Sequence, residues 1–268
     1  MDTHNTIDNI ILKVDISNHT GYPIIFQHGL TGDANQTAEV FPDDNNFCRI
    51  TLECRGHGDS MIGNVKKFSI ADFAEDLIEF LLNRNLKKVI IGGISMGAAV
   101  ALRVAVLKPD IITGLILARP AWVTSSSPKN MKPFLEVAEL LHKLPVSKAL
   151  NSFLKSEIAI QLSTESPDNL LSLKNIFYRS PQNITSALIK AIANDGPGIS
   201  DTEVRKIKIP TLIIGNHYDK IHPLEYATTL SKMIKTSNLV VITSKSINRD
   251  LYIAEFRNSL NLFLKELV

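Results

Sequence analysis

Among the 268 residues, the arrangement with the clearest chemical potential is Gly93-Ile94-Ser95-Met96-Gly97. It stands directly after the apolar run Lys88 to Ile91 and directly before the helix-like stretch Ala98 to Leu107. A G-x-S-x-G turn is so tight that only glycine fits at its shoulders, and it lifts the serine oxygen above a sheet beside a helix N-terminus. The pentapeptide alone carries little weight. Its strand-turn-helix context makes Ser95 a candidate nucleophile rather than a plain buried turn serine. Other chemistries find less support. No two histidines stand at i, i+4 around a carboxylate, Cys48 and Cys54 form no zinc pattern, and neither a Walker P-loop nor a G-x-G-x-x-G after a strand is present. The expected chemistry therefore needs no metal and no cofactor.

A raised serine needs a sheet to stand on. Short apolar runs rich in β-branched residues recur at Tyr22 to Gln27, Arg49 to Glu53, Lys88 to Ile91, Gly114 to Ala118, Pro210 to Gly215 and Leu239 to Thr243. Continuous apolar runs without alternation suit strands covered on both faces, which predicts a parallel sheet. Ile70, Phe73, Ala74, Leu77, Ile78 and Leu81 repeat at helical spacing behind Ser69 and Asp72, placed as a capping box. Tyr252, Phe256, Leu260, Phe263 and Leu267 mark a closing helix. Right-handed crossovers then give an α/β fold with a doubly wound, mostly parallel sheet.

The alternation stops once, between Arg119 and Ile209, where helical patches are separated by Pro128, Pro133, Pro145, Pro167, Pro181 and Pro197. A stretch this long is no ordinary loop. We read residues 119–209 as an inserted helical lid and residues 1–118 with 210–268 as the core. The apolar stretch Val89 to Leu107 imitates a membrane span, but Gly92, Gly93 and Gly97 would spoil a single spanning helix, so a strand, a turn and a helix explain it better.

Composition narrows the partners. Lys+Arg 29 against Asp+Glu 27 leaves a formal charge of +2, too weak a field to gather phosphate or anionic lipid, so neither nucleic acid nor a membrane is an expected partner. Two cysteines and an N-terminus of acids and amides, without a basic flank and apolar block, fit a cytoplasmic protein. The oligomeric state is not legible.

Two further segments complete a pattern. His28-Gly29-Leu30-Thr31-Gly32 follows the first long strand, and Glu53-Cys54-Arg55-Gly56-His57-Gly58-Asp59-Ser60 follows the next. With the Ser95 turn, these resemble, in order and spacing, the His-Gly oxyanion loop, the D-x-R-G-H-G-x-S segment and the nucleophile elbow of the α/β-hydrolase family. Glu53 stands where aspartate is usual. The resemblance covers nearly the whole chain and implies that the backbone N–H groups of Leu30 and Met96 form an oxyanion hole. It implies loop-bracing rather than proton transfer for His28 and His57. It also places the family's acid at Asp219, just after the next-to-last strand, where the alternative is a solvated loop aspartate.

The family's histidine is missing from its usual place. The loop after the last strand reads Ser244-Lys245-Ser246-Ile247-Asn248-Arg249-Asp250-Leu251, and neither Ile247 nor Asn248 can take a proton from serine. His222 is the best substitute, three residues past Asp219 and immediately before Pro223, at the mouth of a helix whose positive end would keep it neutral. The plain alternative is a loop histidine capping that helix; His217 is a weaker candidate for the base.

Arg119, at a strand end beneath the lid, could pair with a substrate carboxylate or tie down the lid. Trp122, Phe134, Phe153, Phe177 and Tyr178 are candidates either for an apolar substrate pocket or for core. Two functions follow. One is a serine hydrolase or acyltransferase acting on a small, largely apolar ester, thioester or amide through an acyl-Ser95 intermediate. The other is a binding or sensing protein that kept the fold after losing its base.

Overall fold

The computed structural model describes residues 2–268. The chain runs β1 (Asp2–Asn5), β2 (Ile11–Ile16), β3 (Tyr22–Gln27), α1 (Ala34–Val40), β4 (Phe47–Leu52), α2 (Ile70–Asn83), β5 (Val89–Ile94), α3 (Met96–Leu107) and β6 (Ile112–Ala118). Six helices follow: α4 (Lys132–Lys143), α5 (Val146–Leu154), α6 (Glu157–Glu165), α7 (Pro167–Ile176), α8 (Gln182–Ala193) and α9 (Asp201–Arg205). The chain then returns through β7 (Thr211–Asn216), α10 (Leu224–Met233), β8 (Ser237–Ile242) and α11 (Arg249–Leu267).

The eight strands form one mixed sheet in the order β1-β2-β4-β3-β5-β6-β7-β8. From β4 to β8 neighbouring strands are parallel, whereas β2 pairs antiparallel with both β1 and β4. The six strands expected from apolar runs are all present; β1 and β2 are additions. Their side chains explain the omission. In β2 Leu12, Val14 and the partly buried Ile16 face the core at alternate positions, so the strand alternates instead of running apolar, and β1 is short and polar.

Both faces of the parallel strands β3 to β7 are covered, whereas the edge strand β8 is partly open. Ile25, Ile91, Leu115 and Leu117 point into the cluster under α2, α3 and α10, while Ile24, Phe26, Ile90 and Ile116 point into the one formed with α1 and α11. Burying every side chain along a strand is what removes alternation from its sequence. The N-terminus of α2 is closed by Ser69, whose Oγ accepts the Asp72 N–H at 2.9 Å; the Ser69 hydroxyl in turn donates to Asp72 Oδ2 at 2.5 Å, so the reciprocal bond of the capping box runs between side chains.

The helical region between β6 and β7 is an insertion at the C-terminal edge of the sheet. Its interior is built on Phe153, Phe177, Leu173, Leu188 and Ile192, all fully buried or nearly so. The apolar stretch Val89 to Leu107 is β5, a turn and α3, and among the described residues no helix is long and apolar enough to cross a membrane.

Candidate functional site

Three neighbouring parallel strands deliver the polar groups of the site from their C-terminal ends, where open α/β sheets bind ligands. Ser95 follows the last residue of β5, Arg119 follows that of β6, and β7 runs into the loop that carries Asp219 and His222. Ser95 itself has φ +57°, a conformation that non-glycine residues rarely keep, and its N–H donates to Ala118 O at 2.9 Å. The flanking glycines are needed for close approach. A Cβ on Gly97 would lie 2.3 Å from Gln27 O, and one on Gly93 would lie 2.5 Å from the Gly97 backbone.

His222 Nε2 lies 2.9 Å from Ser95 Oγ, and its Nδ1 lies 2.8 Å from Asp219 Oδ1. Asp219 also accepts the His222 backbone N–H on the same oxygen at 3.0 Å. An ionised carboxylate only accepts, so the ring proton belongs on Nδ1 and Nε2 is free to accept from the serine hydroxyl. The other oxygen of Asp219 receives Arg119 Nε at 2.8 Å and Nη2 at 2.6 Å. Burial by itself would raise the Asp219 carboxyl; Arg119 and His222 outweigh it and hold the group well below the usual carboxylate range. Burial pushes the His222 imidazole below its ordinary value, Asp219 opposes that, and the Arg119 charge adds to it. The neutrality expected from a helix end is thus supplied first by burial.

The N–H groups of Leu30 and Met96 meet no acceptor among the described residues, although both residues are buried. Backbone donors without an acceptor in buried segments are rare, and such groups are suited to receive negative charge. The loop that presents Leu30 is held by Gln36, whose Oε1 accepts Gly29 N–H at 2.6 Å. From the insertion, Arg179 donates to Thr31 O at 2.9 Å and to Gly56 O at 3.0 Å.

The other histidines are occupied elsewhere. His28 Nε2 accepts Cys54 N–H at 3.0 Å, which puts its proton on Nδ1, facing Gly29 O at 2.8 Å. His57 Nδ1 faces Arg55 O at 3.1 Å. His217 is exposed, its ring tilted against that of Tyr218. Glu53 spans two loops, its carboxylate accepting Ala34 N–H at 3.0 Å and Asp59 N–H at 2.8 Å.

A narrow cavity of about 70 Å³ adjoins Ser95 and His222, walled by Leu30, Phe134, Ile176 and Ile221 with Asn169 and Ser172 as its polar lining. A larger depression of about 660 Å³ lies on the outer side of the Asp219 loop, near His217 and Tyr218, and does not include Ser95.

Two expectations for substrate contact need correction. Trp122 is 1% exposed, and its indole N–H donates to Asp195 O at 2.9 Å, so it braces the base of the insertion instead of lining the cavity. Arg119 reaches the cavity wall, but its guanidinium is engaged by Asp219, with Asp168 Oδ2 of the insertion 3.6 Å away, so of its two readings the tie to the insertion is the one its contacts fit. Of the aromatic candidates, Phe134 borders the cavity, Phe153 and Phe177 are core, and Tyr178 is 73% exposed.

Sequence reasoning missed the insertion's grip on the Asp219 loop. Ser166 Oγ donates to Tyr218 O at 2.6 Å and accepts Lys220 N–H at 3.0 Å. Asn169 Oδ1 accepts Ile221 N–H at 3.1 Å, and Asn130 donates to Ile221 O at 2.6 Å. The one local signal was Ser166-Pro167-Asp168, a helix-start triplet that marks α7 but says nothing of what it touches.

The profile of the alpha/beta hydrolase fold matches residues 22–245. The chain belongs to the alpha/beta hydrolase fold family. It is 27% identical over 247 residues to AB hydrolase superfamily protein YisY of Bacillus subtilis, a match covering 88% of each chain. Matches to proteins of Mycoplasma pneumoniae (27% identical) and Haemophilus influenzae (36% identical) cover 42% and 35% of this chain and span less than half of those relatives' lengths, 48% and 32%. Among solved structures, an esterase from Exiguobacterium antarcticum superposes with TM-score 0.74 at 18% identity, covering 98% of each chain. A thermophilic esterase from Thermogutta terrifontis gives TM-score 0.74 at 22% identity, covering 99% of this chain and 97% of that one. At these identities the two solved structures share the fold of this alpha/beta hydrolase.

Proposed function

We propose that this protein is a serine hydrolase acting on a small, largely apolar ester through an acyl-Ser95 intermediate. The observation that carries the reading is the unbroken hydrogen-bonded line from Ser95 Oγ through the His222 ring to Asp219. As the substrate carbonyl enters, Ser95 Oγ attacks its carbon and His222 Nε2 takes the hydroxyl proton. The carbonyl oxygen becomes an oxyanion held by the N–H groups of Leu30 and Met96, each donor contributing roughly 3 kcal/mol to the transition state. Collapse expels the alcohol, which leaves with the proton from His222. Water then repeats the cycle in reverse roles and frees the acid and Ser95.

The cavity of about 70 Å³ beside Ser95 favours an acyl group of a few carbons over a fatty chain. We assign residues 119–209 as the lid that builds this cavity over a core of residues 1–118 and 210–268. A fluorophosphonate probe should label Ser95 in the wild type and fail to label Ser95→Ala. Turnover of p-nitrophenyl acetate should depend on the same residue. An unlabelled Ser95 at probe concentrations that saturate a control esterase would overturn the proposal.

A further inference from the structure

Resting on that reading of Ser95, His222 and Asp219, we infer that Arg119 is a positioning residue of the reaction. Its guanidinium, held between Asp219 of the core and Asp168 of the insertion, fixes the acid's orientation and moderates its pull on the imidazole.

The geometry divides the carboxylate. Arg119 Nε and Nη2 both fall on Asp219 Oδ2, at 2.8 and 2.6 Å, which leaves Oδ1 for the ring and backbone N–H groups of His222. With Oδ2 clamped, the carboxylate cannot rotate away from the imidazole. Arg119 is itself fixed on four sides. Its backbone N–H donates to Ile214 O at 2.7 Å, Nη1 donates to Tyr252 OH at 3.4 Å, the guanidinium carbon lies 5.7 Å from the centre of the Tyr252 ring, and Asp168 Oδ2 is 3.6 Å from Nη2. It keeps φ +45°, an unfavourable conformation for a side-chain-bearing residue, which persists only where the surroundings over-determine it. A lysine could not serve: one ammonium group cannot replace a planar fork that meets two carboxylates and a phenol at once.

The charges around His222 act in opposite directions. Asp219 and Asp168 favour its protonated form, and Arg119 disfavours it. Asp168 comes from α7, so a residue of the insertion takes part in setting the base. This differs from a simple strut, because removing the cation and removing the outer anion should move the imidazole oppositely.

The test uses the full chain with Arg119→Gln, Arg119→Lys and Asp168→Asn. It reads kcat and KM for p-nitrophenyl acetate across pH, and separately the titration of the His222 ring nitrogens by NMR. Arg119→Gln should lower kcat roughly a hundredfold with little change in KM, the size of loss that goes with a misplaced catalytic group. It should also move the His222 midpoint and the acidic limb of kcat/KM to higher pH. Arg119→Lys should return the midpoint toward wild type without restoring kcat, and Asp168→Asn should move the midpoint to lower pH. A folded Arg119→Gln whose midpoint and acidic limb match the wild type would overturn the inference; should that variant fail to fold, an Asp168→Asn midpoint that stays or rises would do so. If the wild type shows no Ser95-dependent turnover, the hydrolase reading fails instead, while the titrations still report on Arg119.

Discussion

Two loops leave the sheet side by side, one after β7 and one after β8, and they differ in almost every respect that matters for chemistry. The first carries Asp219 and His222 within four residues, packs them against Ser95, and is bonded to the insertion through Ser166, Asn169 and Asn130. The second, Thr243 to Asn248, is a short turn closed by Ile247 N–H on Ser244 O at 2.9 Å; Ile247 is 67% exposed and Asn248 caps α11. The resemblance to the α/β-hydrolase family placed a histidine on the second loop and only an acid on the first. The difference teaches that an imidazole can be brought to the serine by a three-residue offset from its own acid. On the proposed reading, proton transfer needs a ring nitrogen near the 2.9 Å that His222 Nε2 keeps from Ser95 Oγ, whichever strand end delivers it.

The comparison breaks most sharply at His222. His222→Gln should lower kcat by roughly a millionfold, as loss of a base in a cooperating unit does, whereas substitutions at Ile247 should leave it unchanged; steady-state kinetics on both variants decides between the loops. Asp219→Asn should cost roughly ten-thousandfold in kcat through the wrong imidazole tautomer. It should also lower thermal stability by about 3 kcal/mol or more, because Arg119 is left buried without its partner. A milder perturbation is pH. Burial lowers the His222 pKa from its ordinary value, and a base must be neutral, so the acidic limb of kcat/KM should have its midpoint below pH 6.5. The charged groups facing this ring are Asp219, Arg119 and Asp168. Ser166→Ala removes two bonds to the first loop and should lower kcat about tenfold, with a stability loss of about 1 to 2 kcal/mol in urea unfolding. Smallest of all, Asn248→Ala on the second loop should cost about 1 kcal/mol of stability from the lost helix cap and leave turnover untouched.

Much of this arrangement was legible in the sequence. The Ser95 turn, the parallel strands and the insertion could be read because local sterics and two-sided burial leave marks on short stretches of chain. Asp219 and His222 were readable as candidates because both lie on one short segment. What the sequence hid depends on long-range pairing. Nothing near Arg119 announces Asp219, a hundred positions away, and nothing near Ser166 announces Tyr218. Trp122 misled for the converse reason: a lone indole beside a strand end is equally suited to a pocket wall or a brace, and only the partner of its N–H, Asp195 O, distinguishes them. β2 escaped notice because its single buried face offers alternation in place of the apolar runs that identify strands covered on both sides.

The bonds from Ser166, Asn169 and Asn130 to the backbone of residues 218–221 have a bearing on protein engineering and on descent. A cap that merely shelters a reaction can be exchanged between cousins to alter what is accepted. On the proposed hydrolase reading the insertion holds the Asp219–His222 loop in register, so a chimera bearing a foreign insertion should fold yet work slowly until these few contacts are grafted with it. Mutations in the two segments should therefore be inherited in concert, and selectivity should drift mainly at cavity-wall residues outside that seam, Phe134 and Ile176 first among them.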